Sequence, residues 1–213
     1  MSLAALLLLA DGRLPAGGHA HSGGAETAVA RGLVHDAATL QLFLRGRLRT
    51  AGRVAAGGAA AACSGRLEGL DAELDARTPS PASRDASRAQ GRALLRLART
   101  SWPSATYADL PVAPHHPHAL GAVAAVAGCS PYEAAVAAAL HAVSGPATAV
   151  VRLLGLDPYA VSAVQAGLGD EVETVARSAT AEVAAGGLPA TGSPLLDLLA
   201  EEHAGAPVPL FAS

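Results

Sequence analysis

Apolar residues recur every three or four positions along most of this chain, a spacing that places them on one side of an α-helix. Three stripes of this kind are Leu40, Phe43, Leu44 and Leu48; Leu67, Leu70 and Leu74; and Leu94 with Leu97. Alternating runs of β-branched and aromatic residues, which indicate strands, are lacking. The pattern predicts an all-α fold of about eight to ten helices. We expect a single domain over residues 1–213, with a helix and glycine-rich loop at 1–26 and a tail at 204–213.

Capping signals predict where several helices begin. A short polar residue is followed at once by proline at Ser80-Pro81, Ser130-Pro131, Asp157-Pro158 and Ser193-Pro194. The side-chain oxygen can accept from a free backbone N–H, and proline suits the first helical position because it has no N–H to leave unpaired. We also expect Ser22 to cap a helix that starts near Gly23. Gly145-Pro146 should break or kink the apolar segment from about residue 131 to residue 156.

The composition narrows the chemistry. All 15 Lys/Arg positions are Arg, so Lys is absent. A Walker A phosphate loop and a pyridoxal-phosphate Schiff base both need Lys and are excluded. Alanine occupies 53 positions, and because small side chains bury little apolar area each, we expect a thin core that is completed by partner surfaces.

Charge and segment length indicate a cytoplasmic protein without nucleic-acid or membrane partners. The net charge of −3 argues against binding that depends on neutralising phosphates. The apolar opening, Met1–Ala10, lacks the basic start and the cleavage site of a signal peptide. No later stretch is an uninterrupted apolar span of about 20 residues, the length that a transmembrane helix needs.

Histidines are the residues most suited to metal binding. They cluster as His19 with His21, and as His115, His116 and His118. Two loops could supply imidazoles to nickel or zinc, although neighbouring loop histidines are often merely solvated. No Gly-x-Ser-x-Gly elbow or catalytic cysteine signature is present. We therefore expect no catalytic residues, no cofactor and no resident metal, and keep a histidine-rich nickel-binding or storage protein as the alternative.

One helix carries a basic row. Its arginines, spaced by four, four, four and three residues, are Arg84, Arg88, Arg92, Arg96 and Arg99. The preceding helix offers Glu68, Asp71 and Asp75 at similar spacing, so the row could pair with them or be solvated. A docking face for an acidic protein partner is the other interpretation.

The glycine-rich segment 14–26 combines four glycines, two histidines and a carboxylate. Taken by itself it is consistent with a tight helix connection, in which Glu26 lies in the first turn of a helix and interacts favourably with the helix dipole. Its residue order resembles the N-terminal signature of the UreF family of urease accessory proteins. The matching positions are Pro15, Gly17, Gly18, His21, Ser22, Gly24 and Glu26.

Three later segments resemble the same family in the same order. They are His115-His116-Pro117 through Gly121, Ser193 through Asp197, and Leu210-Phe211-Ala212-Ser213. The chain departs from the family pattern at four positions: His19 replaces an aromatic residue, Ala25 a larger hydrophobic residue, Pro158 a glutamine, and Pro209 the tail arginine. A tail contact through that arginine is not expected here.

The resemblance implies a non-catalytic, often dimeric adaptor in nickel insertion into apo-urease. Such a protein binds the accessory protein UreD, also called UreH, and recruits and regulates the GTPase UreG. The partner-binding residues that the resemblance implies are Pro15, Gly17, Gly18, His21, Ser22, Glu26, Leu210, Phe211 and Ser213. The absence of Lys agrees with GTP handling by a partner.

Overall fold

The computed structural model describes residues 3–12, 14, 21–206 and 210–211, and this part of the chain contains no β-strand. Its α-helices are α1 Leu3–Ala10, α2 Ala25–Ala30, α3 Ala37–Arg47, α4 Arg53–Cys63, α5 Leu70–Ala76, α6 Pro81–Ser101, α7 His116–Val126, α8 Pro131–Leu154, α9 Pro158–Ala166, α10 Gly169–Ala184 and α11 Pro194–Ala204. A π-helical turn, Leu48–Gly52, joins α3 to α4 without interruption, and a 3-10 turn, Ala105–Ala108, follows α6. If α3, the π-helical turn and α4 are counted as one continuous helix, the described residues form ten helices. This confirms the predicted all-α class.

Local capping sets most of the predicted helix starts. The side chains of Ser80, Ser130 and Asp157 each accept a hydrogen bond from a backbone N–H in the first turn of α6, α8 and α9. Ser130 and Glu133 form a reciprocal capping box. Ser193 is the exception, because α11 begins after it without a side-chain cap.

Helix α8 lies at the centre of the fold and packs against α4, α7 and α10. The predicted stripe on α3 points into this core, where Leu40, Leu44 and Leu48 are fully buried beside Val143 and Val150 of α8. α8 is also the one described helix that is long and apolar enough to cross a membrane, but most of it is buried inside the protein. Its apolar character is therefore that of a core helix.

Small residues let α4 and α7 approach closely. A Cβ added to Gly121 of α7 would lie 2.2 Å from the backbone oxygen of Ala59 in α4. Because a backbone atom cannot move aside as a flexible side chain can, glycine is the only residue that fits this crossing. Gly121, which ends one of the motif segments, thus has a packing role.

The sequence predicts that Gly145-Pro146 breaks or kinks the helix; the break is wrong, since α8 continues from Pro131 to Leu154 with Pro146 inside it. Proline has no N–H to donate to the carbonyl four residues earlier, that of Ala142. Arg47 replaces the missing donor, because its Nε lies 3.1 Å from that oxygen. A side chain from another helix therefore supplies the hydrogen bond that Pro146 cannot make.

Candidate partner-binding surface around Glu26

The structure describes five of the nine predicted partner-binding residues. They are His21, Ser22, Glu26, Leu210 and Phe211, whereas Pro15, Gly17, Gly18 and Ser213 lie outside the described residues. His19 and Pro209, where the chain departs from the family pattern, lie outside as well. The described part of this surface is therefore the end of the glycine-rich segment and two residues of the tail.

Glu26 brings these two segments together. Its Oε1 accepts from the backbone N–H of Leu210 at 2.8 Å, and its Oε2 accepts from that of Phe211 at 3.1 Å. The Nε2 atom of His203, in the last turn of α11, lies 2.9 Å from the same Oε2. We call these four residues the tail junction; it connects α2, α11 and the tail through one carboxylate.

The tail junction favours the ionised form of Glu26. Burial by itself would raise the pKa of this carboxyl group, but the hydrogen bonds from Leu210, His203 and Phe211 outweigh it and lower the pKa below its ordinary value. The carboxylate is consequently charged at neutral pH and accepts all three hydrogen bonds.

The two tail residues differ in exposure. Phe211 is buried, with 6% of its surface exposed, and the guanidinium of Arg152 lies 5.1 Å from the centre of its ring. This distance is within the range of a cation–π interaction. Leu210 is 74% exposed. The tail is thus anchored by one apolar side chain while it presents the adjacent one to solvent.

The end of the glycine-rich segment differs in part from the sequence prediction. α2 begins at Ala25, and its N-cap is Gly24, with φ +88° and no side-chain cap, so the predicted cap by Ser22 is wrong. Glycine adopts this left-handed conformation at little cost, which lets the helix start without a capping side chain. Ser22 is fully buried, and Glu26 lies in the first helical turn as predicted.

Arg47 holds the glycine-rich segment against α8. Its Nη1 donates to the backbone oxygen of Gly23 at 2.7 Å, while its Nε donates to Ala142. A Cβ on Gly23 would lie 2.8 Å from the guanidinium carbon. Burial lowers the pKa of Arg47 to about 10, so the side chain stays charged at neutral pH.

Sequence reasoning missed Arg47, Arg152 and His203. Each is a single residue on an amphipathic helix, and none stands in a motif. The proline at position 146 is the one local signal that could have suggested Arg47, because it leaves a carbonyl that needs a donor.

Two of the clustered histidines belong to a second site, in which α5, α6 and α7 meet. Asp71 Oδ1 accepts from the backbone N–H of His115 at 2.9 Å, and His118 Nδ1 lies 3.4 Å from the same oxygen. Arg88 contacts Asp71 at 2.6 Å and Asp75 at 2.8 Å, and His115 Nε2 lies 2.9 Å from Asp75. We call these five residues the polar cluster.

The polar cluster stabilises charge on its carboxylates. Burial opposes the ionisation of Asp71, but hydrogen bonds from His118, the His115 backbone and Arg88 outweigh it and hold the pKa of Asp71 well below its usual range. Burial lowers the pKa of His115 despite its contact with Asp75. The cluster also binds outside groups, since His115 Nδ1 lies 3.0 Å from the Ser87 hydroxyl and Arg88 donates to the Ala113 carbonyl at 2.6 Å. Of its side-chain atoms, His118 Nε2 is buried without a hydrogen-bond partner among the described residues.

Three further histidines, His21, His116 and His141, meet at the end of the glycine-rich segment. The rings of His116 and His141 lie 5.6 Å apart. Burial, with smaller contributions from His141 and His21, lowers the pKa of His116 to about 3. All three line a cavity of about 760 Å³, together with Arg47. The two histidine loops of the sequence therefore do approach each other.

These histidines do not converge on a metal position. Within the described residues, the one group of three whose potential ligand atoms lie within 4.8 Å of one another is Asp71, Asp75 and His115. Those atoms already bind Arg88 or each other. Among the described residues, which do not include His19, the geometry thus gives no support to the nickel-storage alternative.

Comparison with known proteins identifies the family. The sequence pattern of the family described as UreF matches residues 34–169. The chain is 50% identical to "Urease accessory protein UreF" of Mycobacterium sp. (strain JLS), 49% identical to that of Mycobacterium marinum (strain ATCC BAA-535 / M) and 47% identical to that of Mycobacterium bovis (strain BCG / Pasteur 1173P2). Each of these alignments covers 100% of this chain and 99% of the relative. These relatives are named accessory proteins and not enzymes, and the chain belongs to the UreF family of urease accessory proteins.

Proposed function

We propose that this protein is a cytoplasmic, non-catalytic adaptor in nickel insertion into apo-urease. The surface around the tail junction binds UreD/UreH, and another face recruits UreG and regulates its GTP hydrolysis. Family membership supports a role beside other urease maturation factors. The observation that carries the proposal is the Glu26 carboxylate, which holds the end of the glycine-rich segment and the tail side by side.

The tail junction favours a protein interface over a catalytic site. Two backbone N–H groups and His203 donate to Glu26 and lower its pKa, and a less basic carboxylate is a poorer general base. Next to it, the exposed side chain of Leu210 stands on an anchored backbone. A preorganised apolar residue loses little freedom on binding, which favours its use as a contact residue.

We also propose that the adaptor works as a homodimer. Large apolar side chains are exposed on two helices: Leu3 and Leu7 on α1, and Leu195 and Leu198 on α11. Large apolar side chains that are exposed along a helix are typical of interaction sites. The thin core that we expect of an alanine-rich chain also favours a dimer, because a second copy would cover more apolar surface.

The test is co-purification with UreD. Deletion of the chain from Pro207 onward should abolish capture of UreD, and Glu26→Gln should weaken it about tenfold, because the neutral amide cannot accept three charge-assisted hydrogen bonds. Glu173→Gln on α10, with its side chain 61% exposed, is the matched control and should bind like the wild type. Undiminished capture by the deletion variant would show that the tail is not part of the UreD interface.

A further inference from the structure

The arginine row on α6 divides into two halves. Arg84 and Arg88 contact carboxylates that project from α5, namely Asp75 for both and Asp71 for Arg88. The remaining members, Arg92, Arg96 and Arg99, have neither an ion pair nor a side-chain hydrogen bond with any part of the chain that the structure describes. Every other arginine in the described part of the chain has at least one ion pair, hydrogen bond or ring contact.

The three unpaired arginines share one exposed helix face, which we call the arginine face. Spacings of four and three residues put their side chains in one line, and all three are exposed. The opposite side of the same helix is buried through Leu94, Leu95 and Ala98. Packing thus fixes α6 by its other side, and the arginine face makes no contact that the fold requires.

The arginine face suits carboxylates on another protein. Three guanidinium groups span about 10 Å along the helix axis, at a rise of about 1.5 Å per residue. Each can bind a carboxylate through two parallel hydrogen bonds. A nucleic acid fits less well, because the chain carries a net charge of −3 and only 3% aromatic residues for base stacking.

A second copy of this chain does not offer the complementary surface. The described carboxylates that have no ion pair or side-chain hydrogen bond include Glu68, Asp85, Asp109 and Asp170. They lie on separate elements: the turn before α5, α6 itself, the end of the 3-10 turn and the start of α10. Because they form no row, the acidic partner is a different protein.

The arginine face is distant from the tail junction. The first turn of α6 contacts α11, because the backbone N–H of Ala82 donates to Glu201 at 3.0 Å. From Ser80, Arg92 is about 18 Å and Arg99 about 28 Å further along the helix axis. One partner at the tail and another at the arginine face can therefore be bound at the same time.

We propose that Arg92, Arg96 and Arg99 form the docking face for an acidic surface of a second protein partner, bound while the tail junction holds the first. This inference rests on the proposed function, in which the first partner is UreD and the second is UreG. Charges of this kind steer association and set its salt dependence, so the face determines how fast the second partner is recruited.

The experiment compares two double variants with equal changes in charge. R96Q/R99Q removes two members of the arginine face, and R49Q/R177Q removes two arginines with side chains 62% and 71% exposed elsewhere. Each is purified in complex with UreD, and UreG binding is measured by surface plasmon resonance at low and at physiological salt. We expect R96Q/R99Q to lower the affinity for UreG about tenfold and to flatten its salt dependence, with UreD retained. R49Q/R177Q should stay within about twofold of the wild type.

Further variants sharpen the test. R92Q/R96Q/R99Q should lose more affinity than R96Q/R99Q, and the corresponding triple lysine variant should recover part of it, because charge returns without the bidentate geometry.

Unchanged UreG affinity in the triple glutamine variant overturns the inference, as does an equal loss in R49Q/R177Q or a loss of UreD instead of UreG. A 20-base-pair DNA duplex that competes UreG away from the arginine face overturns the choice of a protein partner. Failure of the wild type to bind UreD refutes the proposed function itself, whereas normal binding of both partners by the triple glutamine variant refutes only the docking face.

Discussion

The polar cluster and the tail junction use the same chemistry for different ends. In each, a carboxylate accepts from at least one backbone N–H and lies beside a histidine ring nitrogen, and its pKa is lowered although burial opposes this. The polar cluster joins α5, α6 and α7, and each of these helices is followed and preceded by other helices of the fold. The tail junction attaches a short segment in which Phe211 is buried and Leu210 is exposed.

This difference decides whether the hydrogen bonds of such a network contribute to global stability or to the position of one segment. Breaking the polar cluster separates α5, α6 and α7, so its hydrogen bonds contribute to global stability. Breaking the tail junction frees the tail, in which Phe211 is the one described buried residue, so its hydrogen bonds mainly fix the position of the proposed binding surface. Local openings of this second kind cost much less than global unfolding.

The largest effect is expected from Asp71→Asn. The amide leaves Arg88 short of a charged partner and cannot accept from the His115 backbone and His118 as strongly, so the free energy of unfolding should fall by about 3 kcal/mol. Urea denaturation measures it, with the exposed Asp109→Asn as control. UreD affinity of the folded variant should be unchanged; a loss of less than about 1 kcal/mol would mean that the polar cluster is not a centre of stability.

Gly121→Ala tests the same side of the molecule through packing. The added Cβ would collide with the Ala59 backbone oxygen, so we expect a loss of about 2 kcal/mol. Gly46→Ala is the matched control, because nothing lies within 4 Å of the added atom. Its higher helix propensity should raise stability by about 0.5–1 kcal/mol. Similar urea midpoints for the two variants would contradict the close approach of α4 and α7.

Glu26→Gln should change the local opening of the tail more than it changes the free energy of unfolding. We expect the free energy of unfolding to fall by only about 1 kcal/mol, while the backbone amides of Leu210 and Phe211 exchange with solvent much faster and UreD binding weakens. Hydrogen exchange followed by NMR separates the local from the global effect. Unaltered exchange at both amides would show that Glu26 does not hold the tail.

The smallest effect is expected from pH. Since the folded pKa of Glu26 lies below its ordinary value of 4.5, its contribution is fully present above that value and is lost as the pH falls through the folded pKa. The amide shifts of Leu210 and Phe211 should therefore titrate with a midpoint below 4.5, and Glu26→Gln should abolish this titration. A midpoint above 4.5 would contradict the network of donors around the carboxylate.

The sequence predicted what is decided locally. Ser80 and Ser130 cap helices because their oxygens bind backbone groups only three residues away. The predicted cap by Ser22 failed because Gly24 takes a left-handed conformation that the pattern of side chains does not specify. The predicted break near Pro146 failed because its remedy, Arg47, comes from a different helix.

The tail junction could be anticipated only in part. The family resemblance indicated Glu26, Leu210 and Phe211 as binding residues, yet nothing in the sequence pairs Glu26 with His203, which lies 177 positions away. Such a contact depends on how α2 and α11 pack, and local periodicity does not specify that. The described part of the proposed UreD surface therefore became visible only with the tertiary structure.

The bond from Arg47 to Ala142 has a consequence for how sequences of this kind can diverge. Replacing Arg47 would leave the Ala142 carbonyl unpaired while Pro146 is present. Replacing Pro146 by alanine as well would return a backbone donor to that carbonyl and relieve the cost. We therefore expect divergent sequences that lose Arg47 to lose Pro146 too.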